Sequence, residues 1–80
     1  MEEKSKLLKR IIIDPKIMLG KPTIKGTRLT VQQVLGLLAQ GISVNEIIEE
    51  YGKLTKDDIF ACLLFAQEAL DNTTFAPLKI

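Results

Sequence analysis

Three cations set into a glycine-punctuated stretch, Lys21, Lys25 and Arg28 between Gly20 and Val31, are the side chains of this sequence best placed to act on something anionic. Lys21 lies between Gly20 and Pro22, and Lys25 and Arg28 flank Gly26-Thr27, so turns would present all three outward. The stretch is not a nucleotide phosphate loop. That loop needs four residues between its glycines and then Lys before Ser or Thr, whereas here five intervene and Thr27 follows Gly26 directly.

The remaining reactive residue types argue against catalysis. The chain has no His, and its single Cys62 sits in an apolar run with no imidazole to activate it. Neither a zinc-type site nor an internal disulfide can be assembled from one such chain, and no cofactor or metal is expected. The carboxylates occur as adjacent pairs, Glu2-Glu3, Glu49-Glu50 and Asp57-Asp58. Neighbours on a helix point about 100° apart, so none of these pairs converges on a substrate for acid and base work. The expectation is a binding protein and not an enzyme.

Charge is distributed unevenly. Residues 1–30 carry eight Lys/Arg against three Asp/Glu, residues 31–80 carry three against seven, and the whole chain has net charge +1. A basic front and an acidic back suit a division of roles between an anionic ligand and something else. Eighty residues make one domain, near the size at which one core is only just sufficient. The charged start is too poor in apolar residues for a signal peptide, and the longest apolar run, Ile59 to Ala66, is too short for a membrane span. A cytoplasmic location with no membrane partner is expected.

The elements that must position the cations are legible in the periodicity. Residues 1–9 read as a charged arm, and Arg10-Ile11-Ile12-Ile13 as a short strand stopped by Asp14-Pro15. Ile17-Met18-Leu19 reads as an edge strand or loop, and Lys25-Gly26 as a two-residue hairpin turn between Thr23-Ile24 and Thr27-Arg28-Leu29. From Thr30 the period changes to that of a helix. Val31, Val34, Leu35 and Leu38 share a face over residues 31–40, Thr30 and Gln33 have capping-box spacing, and Gly41 ends the helix. Ser43 and Glu46 open a second helix that runs to about Tyr51, with Gly52 as a left-handed cap, and Thr55 and Asp58 open a third.

The fold class is therefore mainly α: a compact three-helix, helix-turn-helix unit preceded by a short N-terminal strand or ribbon, over residues 10–71. Residues 72–80 form a C-terminal extension. In such a unit the third helix ought to read DNA, yet it begins Thr55-Lys56-Asp57-Asp58, a negative tip that phosphate would repel. The ribbon cations Lys21, Lys25 and Arg28 are then the candidate DNA contacts. Beyond its tip the third helix is apolar at eight consecutive positions, more than the other two helices can cover, so either the strand Ile11-Ile12-Ile13 covers the remainder within one monomer or, the preferred reading, a homodimer packs through it. Phe60, Leu64 and Phe65 are its candidate contacts, with Phe75 and Leu78 on the extension as candidates for a docked partner, a frayed terminus being the alternative for that segment.

The residues also resemble a known family. Gly20-Lys21-Pro22-x-Ile24-x-Gly26-Thr27-Arg28-Leu29-x-Val31, then Leu38-Ala39-x-Gly41-Ile42-Ser43 with Glu46-Ile47, then Tyr51-x-x-Leu54-Thr55-x-x-Asp58-Ile59 and Ala61, are similar to the domain-of-unknown-function family number 433 over about residues 10–70. Gly52 departs from it, since the family more often has proline after the tyrosine. The resemblance implies a homeodomain-like helix-turn-helix with an N-terminal ribbon, and a VapB-type antitoxin beside a PIN-like ribonuclease toxin. Lys79 is then a candidate to enter the acidic site of that nuclease.

Three readings follow. In the first the chain is a dimeric antitoxin and autorepressor whose ribbon holds operator DNA. In the second it is a protein-interaction or dimerisation module with no DNA role, which suits Asp57, Asp58 and the glutamates of the second helix. In the third Arg28 turns inward to pair with Glu46 or Asp58, and the ribbon is scaffold.

Overall fold

The computed structural model describes residues 2–75, and these form four α-helices, a short 3-10 turn at Met18–Gly20 and one two-stranded antiparallel sheet. The ribbon comes from β-branched residues. Strand β1, Ile11–Ile12, pairs with strand β2, Thr23–Ile24, in the register Ile11 to Ile24 and Ile12 to Thr23. On its other side β2 is held by the residues that lead into the next helix: Ile24 N–H donates to the Leu29 carbonyl at 3.0 Å, and Val31 N–H to the Pro22 carbonyl at 2.9 Å. Because β2 lies in the middle, Thr23 and Ile24 are both fully buried. The buried Thr23 hydroxyl is satisfied by donating to the Lys21 carbonyl at 2.7 Å.

Lys25-Gly26 does form the expected turn, but the strand it returns is not Thr27-Arg28-Leu29. Thr27 N–H donates to the Ile24 carbonyl at 3.0 Å, with Gly26 at φ +82 where a type II turn requires a positive angle. The chain then bends once more before rejoining β2 at Leu29. The pairing strand β1 arrives from earlier in the sequence, so the ribbon is assembled from two separated segments.

Three capping boxes start three helices. In α2, Val31–Ala39, Thr30 and Gln33 exchange side-chain to backbone bonds; in α3, Val44–Glu50, Ser43 and Glu46 do so; in α4, Lys56–Asp71, Thr55 and Asp58. The Ser43 backbone N–H and then its hydroxyl hold the Glu46 carboxyl below its ordinary range. Gly41, at φ +88, closes α2: its N–H donates to the Leu38 carbonyl, and Ile42 N–H to that of Leu37. Gly52 does not play the matching role for α3. The helix is capped by Tyr51 at φ −111, and the left-handed glycines are Gly20, Gly26 and Gly41.

The hub is α4, against which α2, α3 and β1 all pack. Ile24, Val31, Val34, Ile47, Leu54, Ile59 and Cys62 form the core. Each fully buried aliphatic side chain there contributes about 1.5–3 kcal/mol. The stretch expected as an arm is instead helix α1, Glu2–Leu8, which also packs on α4; Leu7 and Leu8 are half-buried, and Lys4 Nζ lies 3.6 Å from Glu68 Oε1.

Burial all round α4 is not what forms. Ile59, Ala61 and Cys62 are buried, but Phe60 is 46% exposed and Leu63 44%, because α1 to α3 and β1 cover one side of the helix and leave the other bare. Leu64 is half-buried, and Phe65 packs against the core. After α4, Asn72 Nδ2 and Thr73 Oγ1 donate to the Glu68 and Ala69 carbonyls, and Phe75 is exposed. Leu78 and Lys79 lie outside the described residues. No helix among the described residues is long and apolar enough to cross a membrane.

Candidate nucleic-acid interface

Each ribbon cation is displayed by backbone that is itself fastened. Lys21 follows Gly20, Lys25 is the first corner of the Ile24 to Thr27 turn, and Arg28 stands in the bend after it; all three side chains are exposed. Lys25 N–H donates to the Arg10 carbonyl at 2.7 Å, which ties the corner to the entrance of β1. Thr27 holds the bend with one hydroxyl, donating to the Ile24 carbonyl at 2.8 Å and accepting from Leu29 N–H at 3.0 Å. The loop is therefore hydrogen-bonded along its backbone and exposed at its charged ends. That arrangement suits contact with phosphate, since little backbone entropy remains to be lost on binding.

No ion pair within 4.0 Å engages Lys21, Lys25 or Arg28 among the described residues. The inward pairing of Arg28 with Glu46 or Asp58 is not formed. Arg10 takes that place, with Nη1 3.1 Å from Asp58 Oδ1 and Nη2 3.6 Å from Asp57 Oδ2. The negative tip expected on α4 is accordingly altered: Asp58 is only 8% exposed and is held by Arg10 and Thr55, while Asp57 remains exposed.

Beside the turn lies an open groove of about 770 Å³. One wall is Gly26 to Leu29, the other is Glu50 to Leu54 at the α3 to α4 junction, and Ile17 adds to the apolar lining. Arg28 and Lys53 both line it, as do Glu50 and the exposed Tyr51. Lys53 and Tyr51 were not legible as site residues. Tyr51 has the spacing of a core stripe, Lys53 sits in an ordinary turn, and only long-range packing brings either to the ribbon. Two cations and an aromatic ring at one groove can hold a phosphate and stack on a base or sugar; Glu50 limits how much negative charge fits.

Phe60 and Phe75 are exposed and Leu64 half-buried, away from this groove's lining. The structure thus groups Arg28 with Lys53, leaves Lys21 and Lys25 outside that lining, and sets Phe60, Leu64, Phe65 and Phe75 elsewhere.

No curated protein and no solved structure matches the chain. The model of one family, described as "Protein of unknown function (DUF433)", matches residues 11–66, from β1 to the middle of α4, and the chain belongs to that family.

Proposed function

We propose that the chain is a DNA-binding autorepressor of the antitoxin kind, acting as a homodimer whose ribbon grips operator phosphates. The observation that carries this reading is the set of exposed cations without an ion partner among the described residues, Lys21, Lys25 and Arg28, on a backbone held by Thr27 and by the Lys25 to Arg10 hydrogen bond. Neutralising phosphate supplies most of the affinity for duplex DNA, and each contact adds about 0.9 to the slope of log affinity against log salt. The engagement of Asp58 by Arg10 supports the reading too, since it removes part of the charge that would repel the duplex. The antitoxin half rests on the family resemblance alone. It assigns residues 72–80, with Phe75, Leu78 and Lys79, to a PIN-like ribonuclease.

Titration of labelled DNA from the chain's own promoter region, at several salt concentrations, tests the DNA half. The expected result is binding that weakens steeply with salt, with a slope reduced by about 1.8 in Lys25→Ala/Arg28→Ala. Absence of binding at low salt sinks it. Co-purification of the neighbouring gene's product tests the toxin half.

A second reading is an interaction module with no DNA role. The bare apolar side of α4 favours it, since Phe60, Leu63 and Leu70 are large, exposed and on one helix.

A further inference from the structure

Five of the exposed residues of α4 share one face. With about 100° between successive residues, Lys56, Phe60, Leu63, Gln67 and Leu70 fall within about 80° of arc. All five are exposed, Leu70 at 56%. From Phe60 the steps are three, four and three residues, the spacing of a seam that inserts knobs into the holes of a second helix. The core side of the same helix, with Asp58, Ala61 and Cys62, is already buried by the rest of the fold.

We infer that this stripe is a self-association surface on which α4 pairs antiparallel with α4 of a second copy. A partner helix must carry the same period, and a second copy carries it by construction. The charges select the direction. In a parallel pair Lys56, Asp57 and Asp71 would each stand against their own copies. In an antiparallel pair centred near residue 65, Phe60 meets the partner's Leu70 and Leu63 meets the partner's Gln67. Lys56 then lies within about one helical turn of the partner's Asp71, and the two helix dipoles oppose each other favourably. Gln67 is the single polar group in the seam, which costs affinity and fixes register.

Four layers span about 15 Å of helix, a contact at the small end of specific interfaces, below roughly 1,200 Å². The dimer is therefore dissociable at micromolar concentration. It supplies the interface for the homodimer of the proposed function, and it is testable without DNA.

Sedimentation equilibrium of the chain alone, from low to high micromolar concentration, is the experiment. The expected mass rises from the 8.9 kDa monomer toward twice that value. Leu63→Glu should weaken association at least about tenfold, because a charge is placed in an apolar seam. Lys56→Asp should weaken it about twofold to fivefold, and Lys56→Asp/Asp71→Lys should restore it. These two charge changes suit the helix dipole, so circular dichroism should show the fold intact. A monomer at every concentration, or a dimer indifferent to Leu63→Glu, overturns the surface. Failure of the double variant to restore association overturns the antiparallel pairing. Loss of operator binding affects none of these outcomes.

Discussion

Arg10 donates from Nη1 to Asp58 Oδ1 at 3.1 Å, joining the entrance of β1 to the first turn of α4 across 48 residues of chain. The other oxygen of the same carboxylate accepts from Thr55 N–H at 2.9 Å and from the Thr55 hydroxyl at 3.2 Å. Asp58 is thus a helix cap and an ion-pair partner at once. Because the Lys25 N–H donates to the Arg10 carbonyl, the ribbon turn, β1 and α4 are tied through one residue.

This relationship predicts a graded loss of stability. Asp58→Ala removes the capping-box carboxylate and one of the two carboxylates beside Arg10, leaving Asp57, and should cost about 1–2 kcal/mol. Asp58→Asn keeps an acceptor for Thr55 and should cost less. Arg10→Met should cost about 1 kcal/mol, since its guanidinium is partly in water. Urea denaturation measures all three, and an Asp58→Asn variant as damaged as Asp58→Ala would show that the cap contributes nothing.

The same residues show what the sequence makes legible. Thr30 with Gln33, Ser43 with Glu46 and Thr55 with Asp58 are local signals three residues apart, and each starts the helix expected of it. Arg28, close before the cap of α2, is a candidate partner for Asp58 on sequence, but spacing carries no information about a contact as distant as Arg10. The groove escaped for the same reason: Ile17, Arg28 and Lys53 come from three separate segments. Helix α1 escaped because a few charged residues with only Leu7-Leu8 between them show no helical period; its helix is supported by packing on α4.

Cys62 predicts a limit at high pH. Burial, and then the negative charge of Asp58, push its thiol from 9.0 up to about 12. The unfolded chain loses this proton near pH 9.0 and the folded chain keeps it, so the folded state binds more protons in between. The contribution is fully present below pH 9.0 and is lost as pH rises toward about 12. Melting temperature followed from pH 8 upward should fall less steeply in Cys62→Ala than in the parent, as roughly the difference of one titrating group. Thiol reagents should label the native chain only as fast as it opens.

Leu19 predicts a gain. Met18 and Leu19 have φ of +48 and +58, and Gly20 follows at +81, so three consecutive residues are left-handed. A side chain other than glycine costs roughly 1–2 kcal/mol there, and Leu19 is 93% exposed, so it recovers almost nothing by packing. Leu19→Asn, which tolerates this backbone, should be more stable than the parent by about 0.5–1 kcal/mol. Loss of DNA or partner binding in that stabilised variant would mark Leu19 as a contact for which the strain is retained.

The groove makes a prediction of opposite signs for its charges. If phosphate lies between the ribbon turn and the α3 to α4 junction, Arg28 and Lys53 attract it and Glu50 repels it. Arg28→Ala/Lys53→Ala should lower the salt slope of DNA binding by about 1.8. Glu50→Gln should tighten binding about twofold to fivefold, the size of one partly screened charge interaction. Glu49 is also exposed on α3 but does not line the groove, so Glu49→Gln should change affinity less than Glu50→Gln. Fluorescence anisotropy with the same duplex reads all three. Equal effects of Glu49→Gln and Glu50→Gln would mean that DNA feels only the net charge of the chain, and the groove would not be where phosphate sits.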